Sequence, residues 1–395
     1  MSRTLRLGLF YCSIFIGTGA SLPFMPVWFR AQGLSGLEIG IILSAPMLAR
    51  IVITPLLAVW ADGFALRRTP MILFGLAAAA AYGMIGLVSG FGAWLACWLA
   101  ATTFLSTVVP LADVLTLRRS RAEGFNYGLP RGIGSIAFVV ANITMGALLA
   151  RAGLNLVLVW TTVAALSAGV GARLLLPADP VHEGGGKAGR RDRWRGITDL
   201  LRNRPFMLAV ISTSLIQATH AYYYAFSALL WRADQNVPET TVGLLWATGV
   251  VVEIGFLWFM EPWRKRLGPE RLVILGGIAA VARWTALAFT PPLWLLFPLQ
   301  SLHALSFAAV MLGSLQLIER HAPARSASAA QTISSAFSGG LVIGLVTLAS
   351  GPLFDAFRER GYLAMSVVAL LGLIGAWRLA AASGVRALPS PASRP

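Results

Sequence analysis

The chain has 395 residues, of which 57% are hydrophobic and only 12% charged, and its mean hydropathy is +0.72. A water-soluble domain is nearer half apolar and a quarter charged, so this balance excludes a soluble globular protein and places the chain in a bilayer. The net charge of +16 would suit a nucleic-acid binder, but the placement of the basic residues, given below, assigns it to membrane topology and excludes nucleic acid as a partner.

A helix that crosses a bilayer needs about 20 mostly apolar residues. Apolar runs between charged or Gly/Pro-rich breaks predict twelve such helices, near 6–30, 37–61, 69–90, 92–116, 127–150, 153–176, 205–232, 239–261, 269–290, 292–318, 327–355 and 361–382. The first run, Leu7 to about Phe29, is longer than the apolar core of a secretory signal and is followed by further spans, so it reads as a span. The longest polar break, PADPVHEGGGKAGRRDRWRGITDLLRNR at 177–204, divides the chain. Residues 1–176 are expected to form an N-terminal six-helix bundle. Residues 177–204 are a cytoplasmic loop, Gly-rich and mobile at first, with RGITDLLRN a candidate surface helix. Residues 205–395 form a C-terminal six-helix bundle with a short cytoplasmic tail. Cys12 and Cys97 fall inside apolar runs and offer neither metal-ligand spacing nor a disulfide. No cofactor or metal is expected.

Of the 32 Lys and Arg residues, 24 fall on one side of this topology, five on the other, and Arg50, Arg131 and Arg283 lie within spans. That bias is the positive-inside pattern of an even number of spans with both termini cytoplasmic, in a bacterial inner membrane. GRRDRWR then reads as a topology signal in contact with lipid headgroups. The two halves also resemble each other. ADGFALRRTP (61–70) and MEPWRKRLGPER (260–271) each place an acidic residue at the end of one helix and a basic cluster before the next. Such parallel repeats place a transporter's substrate site near the bilayer midplane.

An ionisable residue in lipid costs several kcal/mol unless it is paired or faces water. The few such residues are therefore the candidate site. Glu253, Arg283, His220 and His303 fall within about two helical turns of one depth, and together make a candidate proton-coupling relay. Burial and a neighbouring arginine act in opposite directions on a carboxyl, so movement of either can make Glu253 titrate near neutral pH; histidine needs little help to do so. The alternative is a fixed Glu253–Arg283 ion pair with structural histidines. Arg50, at the middle of its span with no acid at its depth in that half, suits an anionic substrate through its bidentate fork. Tyr223, Trp246 and Trp284 are candidate substrate contacts. Asp113 and Arg131, each about one turn from the cytoplasmic end of its span, are expected to pair as a gate or a static staple. Asp62, Arg67 and Arg68 form the cytoplasmic loop motif. No catalytic constellation, signalling domain or repeated filter is visible, which argues against an enzyme, a sensor and a channel.

At this point the chain resembles the major facilitator superfamily, and within it the phenylpropionate permease family, relatives of nucleoside–proton and lactose–proton symporters. The stretches that carry the resemblance are SLPFMPVWFRAQGLSGLEIGIILSAPMLAR (21–50), PLAD (110–113), YGLPRGIGSIAFVV (127–140), THAYYYAFSALLW (219–231), VGLLWATGVVVEIGFLWF (242–259), ARW (282–284), LHALSF (302–307) and SAFSGGLVIG (335–344). The resemblance implies two six-helix bundles that open alternately to each side, and proton-driven uptake of a small organic solute by a monomer. Arg283 with His303 is similar to the coupling cluster of lactose permeases, although here the carboxylate comes from the eighth helix. The substrate so implied is an aromatic carboxylate such as 3-phenylpropionate, with a neutral nucleoside or sugar as the alternative. Of the superfamily's loop signature Asp62, Arg67 and Arg68 remain, and the glycine–proline signature of drug antiporters is absent from the fifth helix.

Overall fold

The structure, a computed structural model, describes residues 2–180, 200–322 and 327–382. GRRDRWR, most of RGITDLLRN and the C-terminal tail lie outside the described residues. Among the described residues the secondary structure is helical, apart from an isolated bridge between Leu66 and Pro180. Spans one to six are single helices: Arg3–Ala31, Gly36–Ala61, Arg68–Ile85, Phe91–Glu123, Gly128–Leu149 and Leu156–Leu175. Span seven comes in two pieces, Arg204–Ala218 and His220–Ala233; span eight is Glu239–Phe259 and span nine Pro269–Leu287. Span ten runs through Leu293–Ser301, a π-helical turn at Ala304–Ala309 and Val310–His321. Span eleven has the same build, with Ala327–Ala336, a π-helical turn at Phe337–Val342 and Ile343–Phe357; span twelve is Tyr362–Ala382. The chain is thus a twelve-span all-α membrane protein, and a short surface helix, Glu261–Leu267, joins spans eight and nine.

Local chemistry sets the helix ends. Ser35 and Glu38 form a reciprocal capping box that starts span two: Ser35 Oγ accepts from the Glu38 N–H at 3.2 Å, and Glu38 Oε2 accepts from the Ser35 N–H at 2.8 Å. Asn203 starts span seven, accepting from the Phe206 N–H at 3.1 Å. Span seven breaks at Thr219, whose hydroxyl donates back to the Ile216 carbonyl at 2.6 Å, a local bond that competes with the helical ladder.

The chain packs as two compact units, Met1–Gly185 with Tyr224–Ala247, and Gly186–Tyr223 with Thr248–Pro395. In the first, span one packs on spans five and six, and span three on spans four and six. Gly146 of span five meets Gly243 and the Glu239 carbonyl of span eight so closely that a Cβ at either glycine would collide with backbone. In the loop between spans two and three, Arg67 and Arg68 do not turn to Asp62, which is exposed. They hold the segment that follows span six. The Arg67 N–H donates to the Asp179 carbonyl at 2.8 Å, Arg67 Nε to Pro180 at 3.1 Å and Arg68 Nη1 to Leu176 at 3.3 Å. Arg119 completes the clasp with a two-point ion pair to Asp179 and a contact to Glu123 at 3.2 Å. In the second unit, span nine packs on spans ten and twelve, and span seven on span twelve. Buried Glu270 of span nine pairs there with Arg320 of span ten.

Candidate functional site

In the second unit, four spans bring Glu253, His303, Arg283 and His220 together. Arg283 is at the centre and fully buried. Its guanidinium lies against the rings of Trp284 at 4.6 Å and Tyr223 at 4.8 Å. Nη2 donates to Gln300 Oε1 at 2.6 Å, and Nη1 faces His303 Nδ1 at 3.2 Å and Ser306 Oγ at 3.4 Å. His303 Nε2 lies 3.4 Å from Glu253 Oε2. Ser306 Oγ lies 3.2 Å from His220 Nε2, and His220 Nδ1 lies 3.0 Å from the Gln217 carbonyl.

Donor and acceptor rules orient this network. A guanidinium only donates and a carbonyl only accepts. His303 Nδ1 must therefore accept from Arg283, which puts the proton of the neutral ring on Nε2, aimed at Glu253. His220 Nδ1 must donate to Gln217, so its Nε2 accepts from Ser306. The two histidines are opposite tautomers, and both arms point away from Arg283. One arm ends on a backbone carbonyl, which cannot take up a proton at working pH. The other ends on Glu253, whose side chain keeps 18% exposure against 8% for His303.

Local structure explains these positions. Gly249, one turn before Glu253, lets span eight approach the Gln300–His303 turn of span ten: a Cβ there would sit 3.4 Å from His303 Cβ and 3.5 Å from the Gln300 carbonyl. The π-turn of span ten begins directly after His303 and contains Ser306; such turns concentrate at functional positions. Gln217 of span seven donates its side-chain amide to the Phe307 carbonyl in that turn at 3.1 Å. Thr219, at the break in span seven, accepts from Trp284 Nε1 at 2.8 Å.

Other residues singled out from the sequence stand elsewhere. Trp284 and Tyr223 are buried beside Arg283, with Trp284 stacked on Tyr362 at 5.8 Å. They buttress the arginine and in this conformation present no open face to a substrate. Trp246 is also buried, tilted against Tyr224 at 5.8 Å in the first unit. Arg50 is exposed at the middle of span two and has no hydrogen-bond or ion-pair partner among the described residues. The expected Asp113–Arg131 ion pair is not what forms. The Asp113 carboxylate accepts hydroxyls from Tyr11 at 2.5 Å and Tyr127 at 2.9 Å. Arg131 instead lies over the rings of Phe15 at 4.3 Å and Tyr11 at 5.7 Å. Tyr11 and Tyr127 satisfy the acid, and Tyr11 supplies a π face to the cation as well. Gln300 and Ser306 were not anticipated. The usable signal was spacing, since Gln300, His303 and Ser306 recur every three residues along one span.

Twelve apolar spans with buried charge at mid-span define a polytopic membrane transporter. The chain belongs to the major facilitator superfamily: the MFS_1 like family matches residues 4–363. It is 30% identical to the maltose permease of Geobacillus stearothermophilus over 93% of this chain and 92% of that one. It is 28% identical to the Probable 3-phenylpropionic acid transporter of Escherichia coli, over 94% and 96% of the two chains. Among solved structures, the nucleoside transporter NupG superposes with a TM-score of 0.81 over 98% of this chain and all of that one, at 17% identity. A bacterial homologue of the lysosomal transporter Spinster gives 0.75 over 99% and 98%, at 14% identity. The protein is thus a multi-pass membrane transporter of this superfamily and not an enzyme.

Proposed function

We propose that the protein is a proton-coupled symporter that takes up a small aromatic carboxylate, such as 3-phenylpropionate, across a bacterial inner membrane, as a monomer with both termini cytoplasmic. The observation that carries the coupling is the directed chain Arg283–His303–Glu253, which joins a buried guanidinium to a partly exposed carboxylate. Glu253 is the proton carrier and His303 its neutral hydrogen-bond donor. Arg283 supplies a permanent charge whose influence on Glu253 changes as the spans move, which lets the carboxyl load on one face of the membrane and unload on the other. Arg50 supports an anionic substrate, because an exposed guanidinium within a span, with no partner among the described residues, has its donor fork available for a carboxylate.

The test is uptake of labelled 3-phenylpropionate into proteoliposomes with and without an inward proton gradient. Gradient-driven accumulation that Glu253→Gln abolishes is the expected result; accumulation indifferent to both the gradient and the substitution would overturn the coupling. A second reading, a neutral sugar or nucleoside, is favoured by the identity to a maltose permease. Arg50→Gln separates the two, since loss of carboxylate uptake supports the anion, whereas retained proton-driven uptake of maltose or a nucleoside supports the neutral solute.

A further inference from the structure

We infer that Gln300 is the positioning residue that sets which nitrogen of His303 carries the proton, and thereby keeps His303 a neutral donor to Glu253. The inference deepens the coupling reading above and rests on it for its transport consequence, although its structural half stands alone. Arg283 contacts two aromatic rings, and such contacts do not fix the rotation of a guanidinium in its own plane. Hydrogen bonds do. A short one runs from Arg283 Nη2 to Gln300 Oε1, at 2.6 Å, and Gln300 is fully buried. With Nη2 held there, Nη1 is left facing His303 Nδ1 and Ser306.

Gln300 lies one turn from His303 on the same span, so the anchor and the ring it governs keep a fixed relation. The chargeable groups that face His303 are Arg283 from span nine, Glu253 from span eight and His220 from span seven, whose ring centroid is 5.3 Å away. Of these, only Arg283 contacts Nδ1 in a role that is purely donating. While that contact holds, a second proton on His303 has no place on Nδ1, and the proton that moves is the one on Glu253. The chemistry of Gln300 suits this task. Its amide oxygen orients the guanidinium without neutralising its charge.

The experiment reads the tautomer directly, by nitrogen-15 resonance of histidine-labelled protein in bilayers; the chain has four histidines, and His303→Gln identifies the signal. His220, the opposite tautomer, is the internal control. The native His303 is expected to be protonated on Nε2 alone. Gln300→Met, close in size but lacking the acceptor, is expected to add an Nδ1-protonated population and to lower gradient-driven accumulation of 3-phenylpropionate about tenfold, with a displaced pH profile. Gln300→Glu, which keeps the acceptor, is expected to keep the native tautomer, and serves if the Met variant does not fold. An Nδ1-protonated native His303, an unchanged tautomer in Gln300→Met, or a lost one in Gln300→Glu would overturn the inference. A tautomer that changes as expected while neither native nor variant protein transports the probe supports the role of Gln300 and overturns the assigned substrate instead.

Discussion

The two units each hold a carboxylate and an arginine joined through an intermediary, and the intermediary makes the difference. In the first unit Tyr11 stands between Asp113 and Arg131: its hydroxyl donates to the acid and its ring faces the cation. In the second unit His303 stands between Glu253 and Arg283, using one ring nitrogen for each. A phenol holds its proton at physiological pH, so Asp113 is fixed by donors that do not change. An imidazole can gain or lose a proton in that range. Asp113 also has a second tyrosine, Tyr127, whereas Glu253 keeps partial exposure beside His303. On the coupling proposed above, similar components give a staple in one unit and a switch in the other.

Substitutions can break this contrast. The largest expected effect is the loss of gradient-driven accumulation, by about a hundredfold or more, in Glu253→Gln. Asp113→Asn, assayed in the same proteoliposomes, is expected to stay within about twofold, and an equal collapse there would end the distinction. His303→Gln keeps a donor near Glu253 but breaks its link to Arg283, so accumulation is expected to fall about tenfold with a flattened response to external pH; an unaltered pH profile would count against that link. Tyr11→Phe removes one hydrogen bond to a part-buried acid and is expected to cost about 1 kcal/mol of stability with coupling retained, as thermal unfolding in detergent would register. Arg119→Ala, at the part-exposed clasp on Asp179, is expected to cost no more than about 1 kcal/mol; a larger drop in unfolding temperature would give the clasp a weight that the comparison does not allow it.

Much of the architecture was legible because lipid imposes one rule on every span, and apolar length therefore locates helices directly. The gathering of Glu253, Arg283, His220 and His303 was legible for the same reason, since each is costly in lipid and depth can be counted along a helix. Depth says nothing about which way a side chain faces around the helix. Asp113 and Arg131 share a depth, yet the acid turned to Tyr11 and Tyr127. Gln300 and Ser306 were hidden because neutral polar side chains are common in spans and become specific only through the partner they meet. The clasp of Arg67, Arg68 and Arg119 on Leu176–Asp179–Pro180 joins positions more than 50 residues apart, and no local pattern encodes it.

The proposed role of Glu253 as the proton carrier has an energetic consequence. One proton carried with a monovalent anion moves no net charge. Accumulation of an aromatic carboxylate would then follow the pH difference alone, about tenfold for each unit, or about 1.4 kcal/mol, and would ignore the membrane voltage. The same stroke with a neutral solute would carry one positive charge inward and gain about 2.3 kcal/mol for each 100 mV. Clamping the voltage of a proteoliposome at fixed pH difference therefore reads the charge of the cargo through the transporter itself.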